Sequence, residues 1–328
     1  MKKACRWGLI GPGLIAERFA KSLTFVEGAS LYAVASRDAE RASTFAAKHS
    51  VAKAYHNYTD LVADKQVDAV YICTPHRFHY QQIKMCLLAG KPVLCEKPLT
   101  VNAAEAKELM ALAKSAGVFL MEAMWTPFLP VYQQLSAWLA EGCIGDIKSM
   151  QSSFGFAVAR QASGRYLNHD VAGGVLLDMG MYNVAISQWL MKRKPEVIQA
   201  QGLIGSTRVD EMVSAQLNYG AGVVSQFICS FQSQLSNTFS VCGSLGRITV
   251  QPYFWDNGSI SLELNSGRAE TKTLPFRGAG FEYEIEHAQE CIEKGLIESP
   301  IIKFELSLQT LEVMDEIRAQ IGMIYDFE

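Results

Sequence analysis

Three groups of residues in this chain have the types and spacing to do chemistry. The first is Gly11-Pro12-Gly13-Leu14-Ile15-Ala16, a G-x-G-x-x-A run directly after the apolar stretch Trp7 to Ile10. Gly11 suits a tight turn, Gly13 lets backbone approach a pyrophosphate, and Ala16 lets a helix lie close on a sheet. The free N–H groups of the turn that follows, at Leu14 and Ile15, favour an anion. This predicts a dinucleotide site. At the end of the next strand, where an NAD site presents a carboxylate to the ribose, the chain reads Ala35-Ser36-Arg37-Asp38. Arg37 can pair with a 2′-phosphate and Ser36 can donate a hydrogen bond, which predicts NADP. The simpler alternative has Arg37 opening a solvated helix that Asp38 caps.

The second group is Thr74-Pro75-His76-Arg77-Phe78-His79 together with Glu96-Lys97-Pro98, each after a strand candidate. Ligands of open α/β sheets bind at the carboxyl ends of strands, so Thr74, Pro75, His76, His79, Glu96 and Lys97 are expected at the cofactor. A lysine at such an edge, partly desolvated, can polarise a substrate oxygen or lower the pKa of a neighbouring acid. His76 and His79 have H-x-x-H spacing without third and fourth ligands nearby, so no metal is expected. The third group lies in Gly173-Gly174-Val175-Leu176-Leu177-Asp178-Met179-Gly180-Met181-Tyr182. Four apart on a helix, Asp178 and Tyr182 share a face among apolar residues. On spacing alone, Asp178 bracing the helix and Tyr182 as an ordinary core aromatic remain the simpler reading.

The elements that must position these groups fall into two series. From Arg6 to Leu120, short β-branched runs (7–10, 31–36, 69–73, 92–95, 118–121) alternate with helical patterns (14–23, 39–49, 80–89, 103–115). That alternation predicts a parallel sheet with helices on its faces. Asn102 with Glu105 signals a helix start, and Gly90 and Gly117 signal helix ends. From Ile147 strand-like runs predominate, broken by helix candidates at 174–190, 283–294 and 305–321. The chain is therefore read as two domains, residues 1–123 and 124–328.

Hydrophobic residues make up 49% and charged residues 19% of 328, enough for large cores, which excludes disordered and fibrous classes. A net charge of −3 provides no field for a nucleic-acid backbone. No apolar run approaches the roughly 20 residues of a membrane helix, and Met1-Lys2-Lys3 leads into only Trp7 to Ile10 before glycines intervene, too short an apolar stretch for a secretory leader. Eight cysteines without a C-x-x-C pair read as reduced thiols of a cytoplasmic protein. Between Glu211 and Arg247 no charged residue occurs. Charge depletion fits either a sheet buried on one side or a subunit interface.

Taken together, the G-x-G-x-x-A, Thr74-Pro75 with His79, Glu96-Lys97-Pro98 and the Gly-Gly with Asp178 and Tyr182 resemble the glucose-fructose oxidoreductase/inositol dehydrogenase (Gfo/Idh/MocA) family over nearly the whole chain. Met121-Glu122-Ala123-Met124-Trp125, Tyr182 and Met314-Asp315-Glu316-Ile317-Arg318 resemble its dihydrodiol and NADP-dependent D-xylose dehydrogenase branch. The resemblance implies an N-terminal Rossmann fold and a C-terminal α/β domain on a large, mostly antiparallel open sheet that pairs with a second copy. An active site between the domains is implied as well. Lys97 and Tyr182 are implied as the catalytic pair, with Asp178 beside them, and Arg37 and His79 as cofactor contacts. Trp125, Phe156, Trp255 and Phe281 are implied as aromatic walls of the substrate pocket. Where the wider family commonly has histidine, Tyr182 brings a phenol of ordinary pKa about 10, which a cationic Lys97 would help to ionise. The expected activity is NADP-dependent oxidation of a diol or an aldose; reduction of a dicarbonyl or keto sugar uses the same groups, and a non-catalytic NADP sensor is the rival. The chain departs at Pro127, where relatives of this type usually have arginine.

Overall fold

The computed structural model describes residues 4–328; Met1, Lys2 and Lys3, which bear on the expected lack of a leader, lie outside them. In chain order the first elements are β1 (Cys5–Ile10), α1 (Leu14–Leu23), β2 (Ala29–Ala35), α2 (Ala39–His49), β3 (Lys53–Tyr55), α3 (Tyr58–Ala63), β4 (Ala69–Ile72), α4 (His79–Leu88), β5 (Val93–Glu96), α5 (Ala103–Ala116) and β6 (Leu120–Ala123). They are followed by α6 (Pro130–Ala140), β7 (Ile147–Gly155), α7 (Met181–Met191), β8 (Val197–Ile204), β9 (Asp210–Asn218), β10 (Val224–Ser230), β11 (Phe239–Gly243), β12 (Gly246–Val250), β13 (Ser259–Leu264), β14 (Ala269–Thr273), α8 (Glu282–Glu293) and α9 (Phe304–Ile321).

Local chemistry explains most of the boundaries. The Asp38 side chain accepts from the N–H groups of Glu40 and Arg41 to start α2, and Asn102 accepts from Glu105 N to start α5. Gly117 ends α5 at φ +65°, a left-handed conformation that costs glycine little. Two elements outside the expected set, β3 and α3, have three and six residues, too short for a periodic apolar pattern.

Two compact units share the chain: residues up to Trp125 with Arg277–Ser307, and Thr126–Phe276 with Leu308–Glu328. A single cut near residue 124 therefore does not describe the division. α8 rests on α1: Phe281 N donates to Ser22 Oγ at 3.2 Å, and Arg18 Nε donates to the Ala279 carbonyl at 2.7 Å. Such contacts, some 260 positions apart in sequence, leave no local signal.

The first unit carries a six-stranded parallel sheet, order β3-β2-β1-β4-β5-β6. Sheet order reverses direction between β1 and β4, where doubly wound folds place a nucleotide. Its core stacks Phe19 on Tyr71 at 3.8 Å, with Trp7 edge-on to Phe19 at 5.7 Å. Burying aromatics of this size contributes roughly 1.5–3 kcal/mol each.

The second unit carries an eight-stranded sheet, order β14-β13-β12-β11-β7-β10-β9-β8, antiparallel except for the parallel β7–β10 pair. Val213, Ala215, Leu217, Phe227 and Cys229 are buried on one face, as is α7 from Met181 to Gln188. The other face presents a shallow basin of about 920 Å³ lined by uncharged residues. Register sets Gln199, Gln216, Gln226 and Gln151 in one row across β8, β9, β10 and β7. Among the described residues no helix is long and apolar enough to cross a membrane.

Candidate active site

In the first unit, the turn after β1 is shaped by its neighbours. Gly11 has φ +94°, and a Cβ there would stand 2.6 Å from Thr74 Cγ2. Only glycine fits so close to the loop after β4. A Cβ on Gly13 would meet nothing nearer than the Gly11 carbonyl at 4.0 Å, and among the described residues no side chain caps α1. Open space before an uncapped helix N-terminus fits a phosphate group. Ala16 is fully buried, Ile15 half-buried and Leu14 exposed.

At the end of β2, buried Ser36 accepts at Oγ from Asp38 N at 3.1 Å, and Asp38 is the helix cap. The capping alternative thus holds for Asp38. Arg37 is exposed, its guanidinium 5.1 Å from the Phe78 ring centre. Arg41, absent from the expected set, donates from Nη2 to the Pro12 carbonyl at 2.9 Å and so stands against the glycine turn. Its signal was available: a second arginine one helical turn past the Asp38 cap.

The loops after β4 and β5 are tied together by His79. This residue is fully buried, with Nε2 2.8 Å from the Thr74 carbonyl oxygen and Nδ1 2.9 Å from that of Pro98. Burial pushes its pKa down, and the carbonyl contacts oppose that. His79 therefore ties the loop after β4 to the loop after β5. His76 lies in a short 3₁₀ turn edge-on to it at 5.9 Å, and Pro75 is exposed. Among the described residues no group of three His, Cys, Asp or Glu stands at metal-binding spacing.

Lys97 precedes Pro98 through a cis peptide. Around it lie buried acids. Glu96 accepts from the Tyr71 hydroxyl. Glu122 accepts from Leu99 N at 2.7 Å and from Ser307 Oγ at 2.6 Å. Burial raises the Glu122 pKa, while those two hydrogen bonds and the charge of Lys97 pull it back. Glu284 on α8 is fully buried with neither carboxyl oxygen bonded among the described residues; burial, and then Glu96, hold its pKa well above the usual range. Nearby, the Arg18 guanidinium sits 4.3 Å from the Trp125 ring centre and 4.8 Å from that of Phe281, which pack edge-to-face at 5.0 Å.

In the second unit, Phe154 is the hub. Tyr182 tilts against it at 5.6 Å, Trp255 stacks on it at 3.3 Å and Phe156 lies at 6.2 Å. Asp178 is buried and ion-paired with Arg165. The continuous helix expected over 174–190 is interrupted: Leu176–Gly180 form a π-helical turn before α7, so regular helical spacing does not relate Asp178 to Tyr182. The cause is long-range. Asp210 Oδ2 accepts from Leu176 N at 2.6 Å, and a Cβ on Gly180 would lie 3.0 Å from Cys229 Sγ of β10. Gly173 is hemmed in by the carbonyls of Tyr166, Asn168 and Arg165, each within 2.9 Å of a built Cβ.

Residues 5–124 match the model of an oxidoreductase family with an NAD-binding Rossmann fold, GFO/IDH/MocA, and residues 132–249 match the GFO/IDH/MocA C-terminal domain. The chain is 40% identical over 98% of both sequences to trans-1,2-dihydrobenzene-1,2-diol dehydrogenase of Sus scrofa, and 38% identical, at the same coverage, to that of Homo sapiens. The chain belongs to the GFO/IDH/MocA family. It is an oxidoreductase whose first unit is a nicotinamide-dinucleotide domain. Among solved structures it resembles a 3-ketoreductase from Actinomadura kijaniata in complex with NADP and TDP-benzene, with TM-score 0.86, 29% identity and coverage of 97% and 98%. An aldose-aldose oxidoreductase from Caulobacter crescentus shares the fold, with TM-score 0.89, 22% identity and 98% coverage of each chain.

Within this family member the expected residues gather in sets. Gly11, Gly13, Arg37, Thr74, His79, Glu96 and Lys97 fall at the carboxyl edge of the parallel sheet. Trp125 meets Phe281, while Phe156, Trp255 and Tyr182 meet around Phe154. Sequence reasoning missed Phe154, Arg165, Arg18 and Glu284. Of these only Phe154, two residues before Phe156 in a strand pattern, had a local signal. Pro127 lies buried in a 3₁₀ turn, its carbonyl accepting from Gln133 Nε2 at 2.8 Å.

Proposed function

We propose that this oxidoreductase is an NADP-dependent dehydrogenase that oxidises the CH–OH group of a cyclic vicinal diol or the anomeric carbon of an aldose. The observation carrying the reading is Tyr182, a nearly buried phenol set among Phe154, Trp255 and Phe156, in a chain 40% identical to a dihydrodiol dehydrogenase. Tyr182 Oη, as phenolate, takes the hydroxyl proton of the substrate while the carbon loses hydride. Lys97 Nζ, as a cation acting on the same hydroxyl, favours that phenolate. Asp178, paired with Arg165, orients its surroundings rather than serving as the base. The aromatic set, with Trp125 and Phe281, suits the apolar face of a ring.

Gly11, Gly13 and the first turn of α1 would hold the pyrophosphate, and Thr74, Glu96 and Lys97 would border the nicotinamide, which when bound supplies the hydride acceptor. Arg37, with Arg41 anchored on Pro12, supports a 2′-phosphate and hence NADP over NAD. The 29% identical 3-ketoreductase favours a second reading, reduction of a keto sugar by the same groups in reverse. A screen of diols, aldoses and dicarbonyls with both cofactors at 340 nm tests both; no turnover in either direction would remove them.

We also infer that a second copy of the chain covers the uncharged face of the eight-stranded sheet. The Gln199-Gln216-Gln226-Gln151 row offers amide donors and acceptors in equal number, so a two-fold contact can satisfy itself. Eight unbridged cysteines suit a reducing compartment such as the cytoplasm.

A further inference from the structure

The segment after α9 folds onto the loop that leads to Asp178 and Tyr182. Tyr325, 1% exposed, donates from Oη to the Gly173 carbonyl at 2.5 Å, and a Cβ on Gly174 would stand 3.2 Å from that hydroxyl. His169 Nε2 lies 3.0 Å from the Ile324 carbonyl oxygen, and its ring tilts against Tyr325 at 5.3 Å. The segment is fastened in turn. Buried Arg318 donates to both carboxylate oxygens of Glu328, at 2.7 and 2.9 Å, and to Asp315 at 2.9 Å. Arg208 pairs with Asp326 through two contacts at 3.2 and 2.6 Å.

Gly173 and Gly174 stand between a loop and a π-helical turn, and Gly174 has φ +131°. A glycine pair leaves the backbone free to swivel, so covalent geometry alone does not aim the helix beyond it. The N–H groups of Gly173 and Gly174 are held by the Asn168 and Tyr166 carbonyls, each at 2.9 Å, and two buried side chains fix the other side of the pair: Asp210 grips Leu176 N, and Tyr325 grips the Gly173 carbonyl. Burial holds the Tyr325 phenol far above its ordinary pKa, so it stays a donor.

We propose that Tyr325 is a positioning residue for the reaction: with residues 324–328 as a strap anchored on Arg318, it fixes the Gly173–Gly174 hinge and so aims Tyr182 at the substrate hydroxyl. The proposal rests on Tyr182 as the proton-transfer residue. Small misplacement of a reacting group far outweighs the hydrogen bond that prevents it.

The test is Tyr325→Phe, which removes one oxygen. The expected result is a fall in kcat of about tenfold, with KM and dinucleotide affinity changed less than about twofold and full dinucleotide-binding stoichiometry retained. Hydrogen exchange by mass spectrometry should show faster exchange across residues 173–182. Glu328→Gln loosens the strap at its far end and should lower kcat in the same direction by less, which decides the matter if Tyr325→Phe does not fold. Unchanged kcat with only a lower Tm, or a loss confined to KM, overturns the proposal. Tyr182→Phe run alongside separates the two ideas. If it keeps turnover, the proton-transfer reading fails; if it is inactive while Tyr325→Phe is normal, only the strap fails.

Discussion

Asp210 turns the packing around the Gly173–Gly174 pair into a measurable pH effect. Its carboxyl is fully buried, one oxygen accepts from Leu176 N and the other has no partner among the described residues. Burial raises its pKa from 3.8 to about 6, against the pull of backbone hydrogen bonds and Arg318. A raised carboxyl pKa means that the folded state holds its proton longer than the unfolded state does. Between the two pKa values stability therefore falls as pH rises, and above about 6 the slope vanishes. Two pKa units correspond to about 3 kcal/mol, of which about 2 kcal/mol falls between about pH 4.5 and about pH 7.5. Asp210→Asn keeps an acceptor for Leu176 N and cannot ionise. Urea unfolding of both proteins across that interval should show the variant gaining about 2 kcal/mol on wild type as pH rises, whatever its constant offset. Parallel stability curves would refute the reasoning, because Asp210 would then not be held protonated by burial.

Three further outcomes are expected. Arg37→Ala and Arg41→Ala should each weaken NADP binding by about tenfold or more, as loss of a charge-assisted hydrogen bond requires, and leave NAD nearly unchanged; titration by fluorescence with each cofactor checks this, and equal loss for both counts against a 2′-phosphate site. Tyr182→Phe should lose about 10²-fold or more in turnover with dinucleotide affinity near wild type, Lys97→Met should be severely impaired, and the double variant should be little worse than either, as steady-state kinetics would show. Gln226→Glu should put like charges across a two-fold axis and give a monomer by light scattering at micromolar concentration, whereas a persistent dimer would place the interface elsewhere.

What the sequence determines by itself here is what short-range physics controls. α2 begins and ends where its cap and periodicity predict, because Asp38 satisfies N–H groups only two and three residues away. The G-x-G-x-x-A run, the alternation of strands and helices, and the charge-free strands are equally local, since each follows from the conformation of a few neighbours or the solvation of one face. The tertiary structure decided what depends on distant partners. α8 joins the first unit because Phe281 N meets Ser22 Oγ and Arg18 meets the Ala279 carbonyl and the Phe281 ring. His79 is a brace because the carbonyls of Thr74 and Pro98 converge on it. The regular helix expected through Asp178 becomes a π turn because Asp210 holds Leu176 and β10 comes close to Gly180. Buried carboxyls such as Glu284 leave no mark in sequence, because the desolvation that raises their pKa is produced by packing that only the folded chain assembles.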